Sequence, residues 1–146
     1  MSKVENLIGI KNGEIWSVHP DATVFDAINL MDEKGIGAVV VLLDDELVGI
    51  MSERDYARKV VLKDRLSRDT LVKDIMTRRV FHTVPEQSID DCMAIMTQHR
   101  IRHLPVVADN RVVGMISIGD VVKNIIAEQQ HTIEHLEHCI TWGESY

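Results

Sequence analysis

The sequence predicts an α/β (α+β) fold made of two βαββα repeats packed against each other. Three observations predict it. Residues 112–120, VVGMISIGD, read as a short buried strand running into a helix start, and residues 47–55, LVGIMSERD, have the same layout. The two stretches stand 65 residues apart, and the same offset relates Trp16 to Phe81, Pro20 to Pro85, Met31 to Met96, Val41 to Val106 and Asp44 to Asp109, with no gap between residues 16 and 63. An ungapped register of that length is an internal repeat, and one copy is too short to bury a good core alone. Within each copy, apolar runs of strand length alternate with runs of helical spacing.

Residues 1–13 read as an N-terminal arm, irregular or a short helix, with Val4, Leu7 and Ile8 as anchors. Residues 14–63 form the first repeat. EIWSVH, 14–19, predicts a short strand ended by Pro20, after an Asn12-Gly13 turn. Thr23, with Asp26 three residues on, predicts a helix N-cap, and Val24, Ala27, Ile28 and Met31 fall on one helical face. Gly35-Ile36-Gly37 stops that helix. The continuous apolar run AVVVLL, 38–43, predicts a strand buried on both faces. Asp44-Asp45 turns the chain into a strand over 47–51, and Ser52 opens a helix over about 53–62. The polar, basic segment 64–76 reads as a connector. Residues 77–128 repeat the pattern, with Ser88 and Asp91 as the capping pair and Ile89, Cys92, Met93 and Met96 as the helical face. Residues 129–146 read as a C-terminal helix or tail.

Composition narrows the classes of function. The 146 residues are 45% apolar and 27% charged, as in a water-soluble globular protein, and aromatics make up only 4%, so the core is aliphatic. No apolar run approaches the ~20 residues that span a bilayer, and the N-terminus lacks a secretory apolar core. Cys92 and Cys139 make neither a disulfide scaffold nor a metal framework, so the expected setting is reducing and cytoplasmic. A net charge of −7 argues against nucleic acid as a partner. The charge is uneven: residues 1–53 carry −7, residues 54–79 carry +5 and residues 80–146 carry −5. The basic middle is either a solvated face or an attraction for a small anion.

The two Ser-x-x-Asp turns carry the candidate chemistry. Ser52 and Ser117 cap helices, with Asp55 and Asp120 at the third position, and this alone explains the pattern. Both turns also lie beyond a buried strand, where clefts open in layered α/β structures. A free helix N-terminus offers N–H groups to phosphate, while a carboxylate suits a vicinal diol. Arg54 and Arg58, one turn apart, are placed to reach phosphate from the side. The second turn carries Ile118-Gly119 where the first carries Glu53-Arg54, and Arg102-His103 stand where the first copy has Gly37-Ala38. Two sites are therefore expected, and unequal. In the tail, His131, His135 and Cys139 share helical spacing that can hold a metal, but Ile133, Leu136 and Ile140 form a competing apolar face, which points to packing and no metal site.

With these residues in view, the chain resembles a pair of CBS domains, the module named after cystathionine β-synthase, in its stand-alone bacterial form. The resemblance rests on the repeated helix starts after Pro20 and Pro85, on Asp74-Ile75-Met76-Thr77, on the run Arg102-His103-Leu104-Pro105-Val106-Val107, and on the two Gly-x-x-Ser-x-x-Asp turns. It implies a non-catalytic regulatory sensor that binds an adenine nucleotide, AMP, ATP or NAD(H), or less readily S-adenosylmethionine, in clefts between the repeats. It implies a homodimer acting on a protein partner. It assigns Asp55 and Asp120 to ribose, and Arg102 and His103 to phosphate. Adenine is assigned to the neighbourhood of Ile15, Trp16, Val80 and Phe81, with Lys11 and Thr77 as further contacts. Two other classes stay open: an interaction module with degenerate pockets, and a nucleotide-processing enzyme, although no nucleophile-and-base set, zinc spacing or phosphate-loop lysine is present.

Overall fold

The structure is a computed structural model that describes residues 2–10 and 15–144. Its elements run α1 (Val4–Ile10), β1 (Ser17–Val18), α2 (Val24–Lys34), β2 (Ala38–Leu43), β3 (Glu46–Ser52), α3 (Glu53–Lys59), a 3₁₀ turn (Val61–Lys63), α4 (Val72–Ile75), α5 (Ile89–His99), β4 (His103–Ala108), β5 (Arg111–Ser117) and α6 (Ile118–Glu144). The first sheet is ordered β1-β2-β3, with β1 parallel to β2 and β2 antiparallel to β3; β4 and β5 form an antiparallel pair. β3 and β5 approach each other where the repeats meet.

Local chemistry sets most boundaries. Thr23 and Ser88 accept from the backbone N–H groups of Asp26 and Asp91, capping α2 and α5. Gly35 closes α2 in the left-handed region, and Arg100 does the same for α5 without glycine's freedom. Both hairpins turn on two residues of positive φ, Asp44-Asp45 and Asp109-Asn110, whose short polar side chains tolerate that backbone. Each hairpin also carries a register shift at the repeat-equivalent place, between Val41 and Leu42 and between Val106 and Val107.

The strand expected to open each repeat is the main correction. In the first repeat it is cut to Ser17–Val18, so Ile15 and Trp16 precede it, and Trp16 instead carries the Lys34 ammonium 4.2 Å from its ring centroid. In the second repeat it shrinks to one parallel bridge, Thr83 to Val106, so Val80 and Phe81 lie outside any strand. The cause is Pro105. Thr83 donates to the Pro105 carbonyl at 2.9 Å, but extending the ladder back to Phe81 requires a donor at Pro105, which has no N–H. Three smaller differences follow the backbone. The helix expected over 53–62 ends at Lys59 and tightens into the 3₁₀ turn past Val60. The segment read as a polar connector ends in α4. The boundary expected at residue 128 falls inside one continuous helix, α6.

Two cores hold the fold. The first gathers Val24, Ala27, Met31, Val39, Val41 and Met51 with Val72, Ile75 and Met76. The second gathers Ile89, Cys92, Met96, Leu104, Val106, Ile116 and Val121 with Val4 and Leu7. The leading segments are thus exchanged: α1, ahead of the first repeat, packs on the second, and α4, ahead of the second, packs on the first. Backbone bonds seal the exchange, Val4 N–H to the Gln87 carbonyl and Val72 N–H to the Ala22 carbonyl, each at 2.9 Å. Thr77 then adds to the edge of β3 through two bonds with Ile50, at 2.8 and 3.0 Å. This brings the Thr77 side chain beside the helix start at Ser52. Among the described residues, no helix is long and apolar enough to cross a membrane.

Candidate functional site

The site begins at the N-terminus of α3. Ser52 Oγ accepts from the Asp55 N–H at 3.1 Å, and Asp55 Oδ2 accepts from the Ser52 N–H at 3.0 Å, a reciprocal capping box. The Ser52 hydroxyl also donates to Oδ2, at 3.1 Å. Asp55 Oδ1 accepts from the Thr77 hydroxyl at 3.1 Å and faces Lys59 Nζ at 3.0 Å. Lys59 donates in addition to the Ile75 carbonyl at 2.9 Å. Four donors therefore converge on one carboxylate whose side chain is 12% exposed. A carboxylate has about four acceptor positions, so Asp55 is saturated as it stands. Capping and ligand binding, alternatives in the sequence, draw on the same two oxygens here.

The turn of the second repeat is built alike. Ser117 N–H donates to Asp120 Oδ2 at 2.8 Å, and Asp120 N–H donates to Ser117 Oγ at 3.2 Å. Its environment differs four residues on, where Asn124 replaces Lys59 and its Oδ1 is buried without a hydrogen-bond partner.

A cleft of about 1000 Å³ opens between the first repeat's turn and the second repeat's α5 end and β4 start. It brings together ten of the candidate site residues singled out by sequence: Ser52, Arg54, Asp55, Arg58, Thr77, Val80, Phe81, Arg102, His103 and Ile118. In this cleft the turn of one copy faces the strand edge of the other. Ile15, Trp16, Ser117, Gly119 and Asp120 do not line this cleft, and Lys11 lies outside the described residues.

Six cations, Arg54, Arg58, Lys59, Arg79, Arg100 and Arg102, line the cleft against two carboxylates, Glu53 and Asp55. With Asp55 held by Lys59, the surplus charge is positive, and the cleft suits an anion. Arg54 is also structural, because its Nη1 donates to the Arg100 carbonyl at 2.9 Å and clasps one repeat to the other. That bond uses one of five guanidinium donors and leaves the charge in the cleft. The Phe81 ring stacks on His99 with centroids 3.8 Å apart and 18° between planes, and the Arg79 guanidinium sits 5.8 Å from the same ring. Gly37 leaves room for His103: a Cβ there would stand 3.2 Å from the imidazole Cε1.

Sequence reasoning missed Lys59, Arg79, His99 and Arg100. Two signals were available. Lys59 follows Asp55 by four residues, the spacing of a helical ion pair. Arg100 stands where the first repeat has Gly35, so a charged residue occupies a left-handed cap. Nothing in the sequence marks His99, which enters through its stack on Phe81.

Comparison with known proteins settles the family. The sequence model of the CBS domain matches residues 7–62 and again 72–127. The chain belongs to the CBS-domain family. It is a CBS-domain pair, with the mixed helix and strand content of that fold. It is 41% identical over 134 residues to the mitochondrial CBS domain-containing protein CBSX3 of Arabidopsis thaliana, covering 88% of this chain and 65% of that protein, so it spans just under two thirds of that relative. A putative signal-transduction protein with CBS domains from Burkholderia ambifaria superposes with a TM-score of 0.84 at 49% identity, covering 88% of this chain and 96% of that one. The CBS domain pair of MJ0100, solved in complex with 5′-methylthioadenosine and S-adenosyl-L-methionine, shares the fold with a TM-score of 0.79 at 22% identity, covering 88% of this chain and 98% of that one.

Proposed function

We propose that this CBS pair is a non-catalytic regulatory sensor whose cleft binds an adenine nucleotide carrying phosphate, AMP, ATP or NAD(H). The observation that carries the reading is the charge of the cleft. Six Lys and Arg side chains from both repeats surround a capped helix start and an aromatic ring. Phosphate is drawn by the cations, adenine by the Val80–Phe81 wall, and the ribose diol by Asp55. Because Asp55 is saturated, a diol has to displace a donor already present, and the Thr77 hydroxyl is the uncharged donor that comes from outside the capping box of the turn itself. Ligand entry thereby touches the segment that ends α4, and with it the exchanged packing between repeats. That is a physical route from occupancy to shape. S-adenosylmethionine fits less well, since its sulfonium cation meets a cationic wall.

The same reading makes the module a homodimer acting on a protein partner. Cys92 and Cys139 are both free, which suits a reducing compartment such as the cytoplasm. Thermal melting with a nucleotide panel tests the proposal. A ligand bound only by the folded state adds stability by mass action, about 2.7 kcal/mol at a hundredfold excess over Kd, and so raises the midpoint. ATP and AMP are expected to raise it more than S-adenosylmethionine. No response to any adenine nucleotide would favour an interaction module with degenerate pockets, and turnover of a nucleotide would favour an enzyme.

A further inference from the structure

The nucleotide cleft leaves the longest element unexplained. α6 spans 27 residues, and only its first turns pack on the body: Val121 is buried and Ile118 and Ile125 are partly buried against the second core. Further along, Ser2 donates through its N–H and its hydroxyl to Glu128, which tethers that face and holds the Glu128 carboxyl below the usual carboxylate range. Every residue from 126 to 140 is exposed. Along the helix runs an apolar stripe: Val122 at 40% exposure, Ile126 at 58%, Ile133 at 48%, Leu136 at 55% and Ile140 at 61%. The spacings are those of a seven-residue repeat, with Ile126, Ile133 and Ile140 at one core position and Val122, Gln129 and Leu136 at the other. In proteins most of a helix's stability comes from packing of such a face.

We propose that α6 pairs antiparallel with α6 of a second copy of this chain. The stripe is self-complementary about its midpoint, as a two-fold interface requires. Laid antiparallel about residue 131, Val122 meets the second copy's Ile140, Ile126 meets its Leu136, and Gln129 meets its Ile133. Every layer thus joins the two kinds of core position, and no layer pairs Gln129 with itself. Charge agrees: on one flank Lys123 comes opposite Glu137, and by symmetry the pair forms twice. A parallel pairing stacks Gln129 on Gln129 and forms neither ion pair. The antiparallel arrangement also sets the two globular bodies at opposite ends of the helix pair.

The test uses the full chain with Cys139→Ser, Cys92 being buried. Lys123→Cys and Glu137→Cys are made separately, mixed and treated with a short bis-maleimide. The mixture is expected to give a cross-linked species of twice 16.6 kDa containing one of each variant. Each variant alone is expected to give none. Adding Ile133→Asp and Leu136→Asp, both on exposed positions, is expected to abolish the cross-link while ATP still raises the melting midpoint as in the parent. Cross-linking of either variant with itself, absence of the mixed species, or its survival in the Asp variants overturns the proposal. The cross-linking readouts do not depend on nucleotide binding, so failure of the cleft reading leaves them intact.

Discussion

Replacing Asp55 with alanine separates its structural role from its binding role. The substitution removes the acceptor of four donors: the Ser52 N–H and hydroxyl, the Thr77 hydroxyl and Lys59. Loss of half the capping box costs about 1 kcal/mol. Loss of the charge-assisted bond from Thr77 costs about 1.5–3 kcal/mol, toward the lower end because Thr77 is only half-buried. The Lys59 pair adds little, about 0–1 kcal/mol, since Lys59 is 43% exposed and keeps its bond to the Ile75 carbonyl. The expected destabilisation is about 2.5–4 kcal/mol, or roughly 10 °C in Tm for a chain of this size. Denaturant titration measures it, and calorimetry with ATP and 2′-deoxy-ATP measures the binding role. The parent is expected to prefer ATP by about tenfold, the worth of one exchanged charge-assisted bond, and Asp55→Ala to show no preference. Equal preference in both proteins would refute the ribose role. A destabilisation below about 0.5 kcal/mol would refute the reading of Asp55 as the point where the turn, α3 and the Thr77 segment are joined.

Other substitutions probe separate features. Gly49→Ala places a Cβ 2.5 Å from Met76 Sδ and 3.2 Å from the Thr77 carbonyl, so urea titration should show a loss of about 1–3 kcal/mol, exceeding that of the repeat-equivalent Gly114→Ala, whose nearest neighbour is the movable Ile8 side chain at 3.3 Å. Arg54→Ala should lower the ATP-over-AMP preference of the cleft and flatten its salt dependence, since exposed charge is screened by salt; calorimetry at two ionic strengths checks both. Burial pushes the Cys92 thiol above its ordinary value of 9.0, with the Thr83 hydrogen bond opposing and Asp91 adding to the rise. Thiol reagent at pH 8 should therefore modify Cys139 and reach Cys92 only on unfolding. Because the folded pKa is the higher one, stability contributed at Cys92 is complete below the unfolded value and declines as pH rises past it, which a series of denaturant midpoints above pH 9.0 would register.

What the sequence determined by itself is whatever short-range chemistry decides. Thr23, Ser52, Ser88 and Ser117 cap their helices because a hydroxyl three residues from an N–H can reach it wherever the chain lies. AVVVLL makes a strand whose first four residues are buried, Asp44-Asp45 turns it, and the offset of 65 residues forces the second copy to repeat the first. A cleft between the repeats was implied by the family resemblance, and in the structure Ser52 and Asp55 line it together with Arg102 and His103. Tertiary structure alone decided the rest, because each remaining feature depends on a partner distant in sequence. The missing proton on Pro105 matters only in the register that sets it beside Phe81. Val72 and Ile75 read as connector residues until they are seen filling the core of the repeat they follow, while Val4 and Leu7 fill the core of the repeat beyond their own. Arg54 and Arg100 are 46 residues apart and meet only across the repeat interface. Asp55 looks like a simple cap in sequence; it becomes a junction because the exchange of α4 carries Thr77 to its second oxygen.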